Sequence, residues 1–251
     1  MKSQNPLASQ VVKPLLLTHQ AIAIIKARIA EGMLRPGDRI VEEQLAKELG
    51  LTRIPLREAL IELQHNGFVE RHSHKGTYVT KMDLSDAEEI YRVRTALEAL
   101  AFDLILERYQ GQRVDLTSVE EMQRAMVEAR RRGDELAFRE GDLEFHRRIW
   151  KLAGNKHLYR SLDRLTAPLI FHIYVVIRDH PSLSFLDLQA IRGHKRIVGA
   201  FQSRSRKMAG EAFGLHAENS LDVLRKVAGV NRDSKHNNGP VHRTSSLSKR
   251  A

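Results

Sequence analysis

The sequence predicts a mainly α-helical protein of two domains, a small N-terminal module of three helices with a β hairpin and a C-terminal antiparallel all-α bundle. Three observations carry this. Apolar residues recur at three- and four-residue spacing through most of the chain. Gly and Pro punctuate the stretch before about Met82 and are sparser per residue after Leu84. Residues suited to strands cluster in one place, between Gly67 and Thr80. The divisions that follow are residues 1–14 as a flexible arm, 15–82 as the first domain, 83–230 as the second, and 231–251 as a disordered basic tail.

In the first domain a helix is expected from Thr18 to Met33, with Ala21, Ile22, Ile25 and Ile29 on one face, closed by the turn Arg35-Pro36-Gly37-Asp38. A second runs from Val41 to Leu49 and stops at Gly50. The third spans Arg53 to Asn66; Thr52 stands where its hydroxyl can cap it, and Pro55 sits in the first turn, where a missing N–H costs nothing. Beyond Gly67, Phe68 to Arg71 and Thr77 to Thr80 read as extended pieces joined by His72-Ser73-His74-Lys75-Gly76, a basic hairpin with a glycine tip. Helix, helix, turn, helix, hairpin is the order of a winged helix-turn-helix. Arg53 and Arg57 fall near the N-terminal end of the third helix, the end that enters the major groove in such modules. Arginine can fork onto guanine O6 and N7 for about 1–3 kcal/mol of discrimination, while other cations hold phosphates. A net charge of +10 fits an anionic partner, because clustered Lys and Arg release counterions from nucleic acid. Part of that excess sits in the tail, where Arg232, Lys235, Arg243, Lys249 and Arg250 face Asp233 alone.

In the second domain, helices are expected at about 84–108, 115–132, 134–153, 156–179, 185–203 and 205–228, with stops at Gly111, Gly133, Gly154-Asn155 and Pro181. The first of them places Ile90, Val93, Leu97, Leu100, Ala101 and Leu104 on its inward face. Asp142 and His146, spaced i and i+4, project one turn apart and can grip one ion. His146 lies in line with Leu143, Ile149 and Trp150, and His194 with Ile191, Ile197 and Phe201, so both face the core. Counted from a turn near Arg204 at 1.5 Å per residue, His194 and His216 stand roughly 15 and 18 Å up facing helices and can meet at one level. Three imidazoles and one carboxylate suit Zn, Ni, Mn or Fe. Arg94, between Ile90 and Leu97 and one turn before Glu98, is either half of a buried ion pair or a clamp for a ligand carboxylate, and Arg178 is a second candidate clamp.

Zero cysteines exclude disulfides and thiolate metal sites. The longest apolar run, Leu169 to Ile177, contains His172 and falls far short of the roughly 18–20 residues that span a bilayer. The N-terminal stretch lacks the apolar core and cleavage site of a secretory signal, so a cytoplasmic protein without membrane partners is expected.

Leu34-Arg35-Pro36-Gly37, Leu45-Ala46, the run Leu51-Thr52-Arg53-Ile54-Pro55-Leu56-Arg57-Glu58-Ala59-Leu60, then Leu63, Gly67-Phe68-Val69 and Gly76 together resemble the GntR-type winged helix. The resemblance implies a homodimer that reads short inverted repeats of operator DNA, with Arg35, Arg53, Arg57 and Gly76 in contact; Thr52, Ile54 and Lys75 complete the expected set. Ile54 departs from the small or hydroxyl residue usual there and can touch only a thymine methyl. The helical half resembles the FCD effector domain of the FadR subgroup, through Arg94 with Leu97-Glu98, Asp142-Leu143-Glu144-Phe145-His146, Asn155, Leu158, His194 and His216. That resemblance implies a divalent metal on Asp142, His146, His194 and His216, with a small carboxylate effector beside it. The expectation is a ligand-responsive transcriptional regulator, a repressor of a metabolic operon and not an enzyme. Two alternatives stand beside it: a metal-dependent hydrolase, since such a ligand set can activate water, and a nucleic-acid-binding protein without effector.

Overall fold

The periodic isoleucines build the first helix, and Ala21, Ile22, Ile25 and Ile29 are all buried. In the computed structural model, which describes residues 8–183 and 186–236, this helix is α1 (Ala8–Ala30). It begins well before Thr18, so the expected arm is helical from Ala8, and residues 1–7 lie outside the described part. There follow β1 (Arg39–Ile40), α2 (Glu42–Leu49), α3 (Arg53–His65), β2 (Val69–His72) and β3 (Gly76–Val79). Gly50 closes α2 with a φ of 64°, a conformation that glycine adopts without a Cβ penalty. Thr52 occupies the cap position of α3, yet its side chain makes no capping bond, since the exposed end of this helix is open to water. The sheet is antiparallel in the order β1-β3-β2, with Val69 opposite Val79 and Arg39 opposite Tyr78. β1 was not expected: two residues are too short to show alternation, and only its pairing with β3 makes it a strand.

The bundle comprises α4 (Leu84–Arg108), α5 (Thr117–Arg132), α6 (Glu135–Leu152), α7 (Lys156–Asp179), a single 3-10 turn at Pro181–Leu183, α8 (Leu186–Ser203) and α9 (Arg206–His236). Short polar residues start its helices: Asp83 forms a capping box with Asp86, Asp134 accepts from Ala137, and Asn155 accepts from His157 and Leu158. α9 passes its expected end, because a lone Gly229 costs only about 1 kcal/mol and does not by itself stop a helix. Of the expected tail, residues 237–251 lie outside the described part.

The inward face of α4 differs from expectation. It consists of Ala87, Tyr91, Arg94, Glu98, Ala101, Phe102 and Ile105, while Val93 and Leu100 are 50% and 46% exposed. An inward ion pair rotates the helix away from the face that apolarity alone selects.

α7 is buried on two sides. Leu169, Ile173 and Ile177 pack with Tyr91 of α4 and Leu221 and Leu224 of α9. Ala167, Phe171, Tyr174 and Val175 instead join Ile25, Leu63 and Phe68 of the first domain. Phe68 meets Phe171 edge to face with ring centres 5.2 Å apart, and a Cβ at Gly67 would come within 3.2 Å of Pro168. The two domains thus share a core through one helix, and a third cluster around Phe145, Trp150 and Phe201 fills the rest of the bundle.

Candidate DNA-reading face and candidate metal centre

Pro55, Leu56, Ala59, Leu60 and Leu63 form the buried side of α3, which turns Arg53, Ile54 and Arg57 outward. The two arginine side chains are 64% and 59% exposed, and Ile54 is 70% exposed. Glutamates at the start of α2 hold the guanidiniums. Arg57 Nε donates to Glu42 Oε2 at 3.0 Å, Arg53 lies 3.3 Å from Glu43, and Arg71 of β2 reaches Glu42 at 3.5 Å. Exposed pairs of this kind are worth about 0–1 kcal/mol, so they orient the cations without locking them. Arg35, Thr52 and Lys75 are exposed, and Gly76 is half-buried at the start of β3 with a φ of 103°. A Cβ there would stand 3.2 Å from Arg39 Nε, which brings to the wing an arginine that the sequence reading passed over together with its short strand.

In the bundle, Asp142 and His146 project from α6, His194 from α8 and His216 from α9, and one ligand atom of each lies within 4.8 Å of the others. All four are buried. The Nε2 atoms of His146 and His216 are 3.1 Å apart, and His194 Nε2 is 3.0 Å from Asp142 Oδ1. Gly193 permits this meeting, since a Cβ on it would stand 2.8 Å from His216 Nδ1. Phe145 stacks on His194 at 3.9 Å.

The residues fit a divalent cation. Two donors each about 2.1 Å from an ion stand at most about 4.2 Å apart, so the four need only a small contraction. Asp142 Oδ1, both ring nitrogens of His194, and the Nδ1 atoms of His146 and His216 are buried without a well-aligned hydrogen bond, where buried polar atoms are nearly always partnered. Burial, reinforced by Arg94, lowers His146 to about 4, and burial with the two other histidines holds His216 well below its usual range. Burial opposes ionisation of Asp142, but His194 beside it and then His146 and His216 outweigh that, keeping its carboxyl below the usual carboxylate range. An ionised carboxylate with neutral imidazoles is the state that metal binding requires.

Behind these ligands, Glu98 Oε1 lies 3.3 Å from His146 Nδ1 and accepts from Arg94 Nε and Nη2, each at 3.1 Å. Burial resists its ionisation, and Arg94 overcomes this, holding Glu98 below its ordinary range. A carboxylate behind a ligand histidine fixes the ring's orientation. Arg94 Nη2 also lies 2.9 Å from His146 Nε2, so this arginine is ion-paired and at the edge of the cluster at once. A narrow cleft with about 30 Å³ of free space, partly open to solvent, adjoins the cluster; Arg94, Arg139, Asp142 and His216 supply its charged and imidazole lining, and Ile170, Ile173 and Ile177 of α7 its apolar side.

Residues 17–79 match the family described as bacterial regulatory proteins, gntR family, and residues 89–219 match the FCD domain. The chain is a GntR-family transcriptional regulator with an FCD domain. It is 30% identical over 192 residues, 76% of this chain and 81% of the relative, to a probable D-xylose utilization operon transcriptional repressor of Paenarthrobacter nicotinovorans. It is 28% identical over 205 residues, 81% of this chain and 88% of the relative, to the HTH-type transcriptional regulator YdhC of Bacillus subtilis. The solved structure of E. coli McbR/YncC shares the fold with a TM-score of 0.63 at 21% identity, covering 84% of this chain and 98% of that one. Family and relatives are DNA-binding regulators rather than enzymes, which removes the hydrolase alternative. Among the described residues, no helix is long and apolar enough to cross a membrane.

One expected ligand residue of this GntR-family regulator lies elsewhere. Arg178 does not line the cleft; its Nη1 donates to the carbonyl oxygens of Ile29 and Ala30 at the end of α1, and its Nη2 to Asp179 at 2.8 Å. It stands seven residues after Phe171, on the side of α7 that meets the first domain, so the helix that forms the cleft wall turns this cation away from it. Arg139 was not singled out from sequence, although it precedes Asp142 by three positions on the same face and is buried. Counting inward polar residues along α6, as was done for the histidines, would have found it.

Proposed function

We propose that this GntR-family regulator is a homodimer whose operator affinity is set by a small carboxylate bound in the FCD domain beside a divalent cation. Asp142, His146, His194 and His216 would hold the cation, with Zn, Ni, Mn and Fe all suited to the set, and the cation would supply a Lewis-acidic anchor for the carboxylate. Arg94, already at the edge of the cluster, clamps the same carboxylate by charge-assisted hydrogen bonds. Arg53 and Arg57 of α3 face base edges, Ile54 covers a thymine methyl, and Arg35, Thr52, Lys75 and Gly76 lie against the backbone and the adjoining groove. The outward face of α4, with Val93 and Leu100 exposed, supports pairing with a second copy. The name of the Paenarthrobacter relative supports a metabolic operon as the target.

The observation that carries the reading is the double burial of α7. Ile173 and Ile177 form the cleft wall, while Phe171, Tyr174 and Arg178 hold the winged domain. A ligand that shifts α7 therefore moves the reading helix. Coupling of about 1–3 kcal/mol would change operator affinity about 5- to 150-fold. Selecting a duplex site from a random library, then titrating it with and without chelator, added metal and a panel of organic acids, tests this. A change within that range is expected, whereas affinity indifferent to every addition would leave a DNA-binding protein without effector.

A further inference from the structure

Arg139 has no part in the scheme above, yet it shares the cleft with Arg94, Asp142 and His216. It stands three residues before Asp142 on α6, so its backbone lies about 4.5 Å further along the helix axis on the face that carries the two ligands. Its side chain is only 4% exposed. A guanidinium carries five N–H donors in a fixed fork. Asp187, in the first turn of α8, takes one through Nη2, and Arg139 Nε is buried with no hydrogen-bond partner. Asp187 is itself shared, since Arg130 Nε comes within 3.5 Å of its other oxygen. The guanidinium also lies over the Phe138 ring at 4.7 Å, and neither that contact nor the pinning of α8 through Asp187 gives the buried Nε a partner. The cleft therefore offers an incompletely satisfied arginine in addition to the cluster with Arg94, and its apolar lining of Ile170, Ile173 and Ile177 suits hydrocarbon.

We infer that the effector is a short aliphatic dicarboxylate, with one carboxylate at the cluster and Arg94 and the other accepting from the unpartnered Nε of Arg139. This rests on the carboxylate reading proposed above and adds that the ligand is recognised at both ends. Arg139 is then the specificity-determining residue. A monocarboxylate of equal length leaves its buried N–H unpaired, and a site built around a polar group discriminates strongly against the analogue that lacks it.

Isothermal titration of the zinc-loaded full chain with succinate against butyrate, and glutarate against valerate, tests this, because each pair differs by a carboxylate in place of a methyl. The dicarboxylates should bind at least about tenfold tighter, equivalent to about 1.4 kcal/mol. Arg139→Gln should bring them down to the monocarboxylate level while butyrate binding changes little. Since that variant strands the buried Asp187, the double variant Arg139→Gln with Asp187→Asn removes both charges of the pair, and its retained butyrate binding reports an intact site. Equal binding of succinate and butyrate by the wild type, or a preference that survives in the double variant, overturns the assignment of Arg139 and leaves the carboxylate reading standing. Failure of every acid to bind removes the carboxylate reading, and this inference with it.

Discussion

At Arg57, function and stability separate. The side chain is 59% exposed, and its partner Glu42 is a weak surface contact. Arg57→Ala should therefore leave the unfolding free energy within about 0.5 kcal/mol of wild type. It should weaken binding to the selected duplex by about 1–3 kcal/mol, with a much smaller loss on unrelated DNA. Anisotropy titrations with both duplexes check this, and equal losses on the two would make Arg57 a phosphate contact. Residues of this kind were legible because spacing alone decides which side of a helix they share. Asp142 with His146, and Arg53 with Arg57, needed only the four-residue period. Spacing does not say what a face will meet. Thr52 stands at its cap position without capping, and Arg178 shares a helix with the cleft wall yet bonds to α1. Gly193 carried no signal at all, since a glycine that admits a neighbouring imidazole resembles any other helical glycine.

Among the elements, α7 is the one whose existence was plain and whose surroundings were not. Eleven of its 24 residues are buried, and the helix meets both domains, so its apolar periodicity did not mark which domain it serves. Pro168 within it removes the N–H that would bond the Arg164 carbonyl, and the helix packs there against Gly67 of the winged domain. At its far end Arg178 donates to the carbonyls of Ile29 and Ala30 in the last turn of α1, of which Ile29 also accepts from Gly32 N–H at 3.1 Å. Arg178→Met keeps most of the aliphatic bulk and removes those bonds. Stability should fall by about 0.5–1.5 kcal/mol. If α7 relays the ligand signal through this contact, the coupling between effector and DNA should shrink by about 0.5–2 kcal/mol. The ratio of DNA affinities at zero and saturating ligand measures it, and full coupling in the variant would take Arg178 out of the relay.

For the whole molecule, the division into two domains was visible in composition, because the density of Gly and Pro changes near Met82. The shared core was not visible, since apolar residues look alike whichever domain buries them. The sharing has a thermodynamic consequence. A cation bound only by the native cluster stabilises it by about 2.7 kcal/mol at a hundred times its Kd. For a chain of this size about 2–4 °C accompany each kcal/mol, so Tm should rise by about 5–11 °C on adding metal. Phe171, Tyr174 and Val175 cannot leave Leu63 and Phe68 without opening the winged domain, so the whole chain should melt in one step and gain the full shift. The single tryptophan, Trp150, stacks on His146 and reports the bundle by fluorescence, while amide exchange along α3 reports the winged domain. Both should respond to metal in the wild type, and neither in His194→Ala. A metal-dependent shift at Trp150 with unchanged protection in α3 would show two domains that unfold independently, and a helix packed against both would then be a hinge and not a relay.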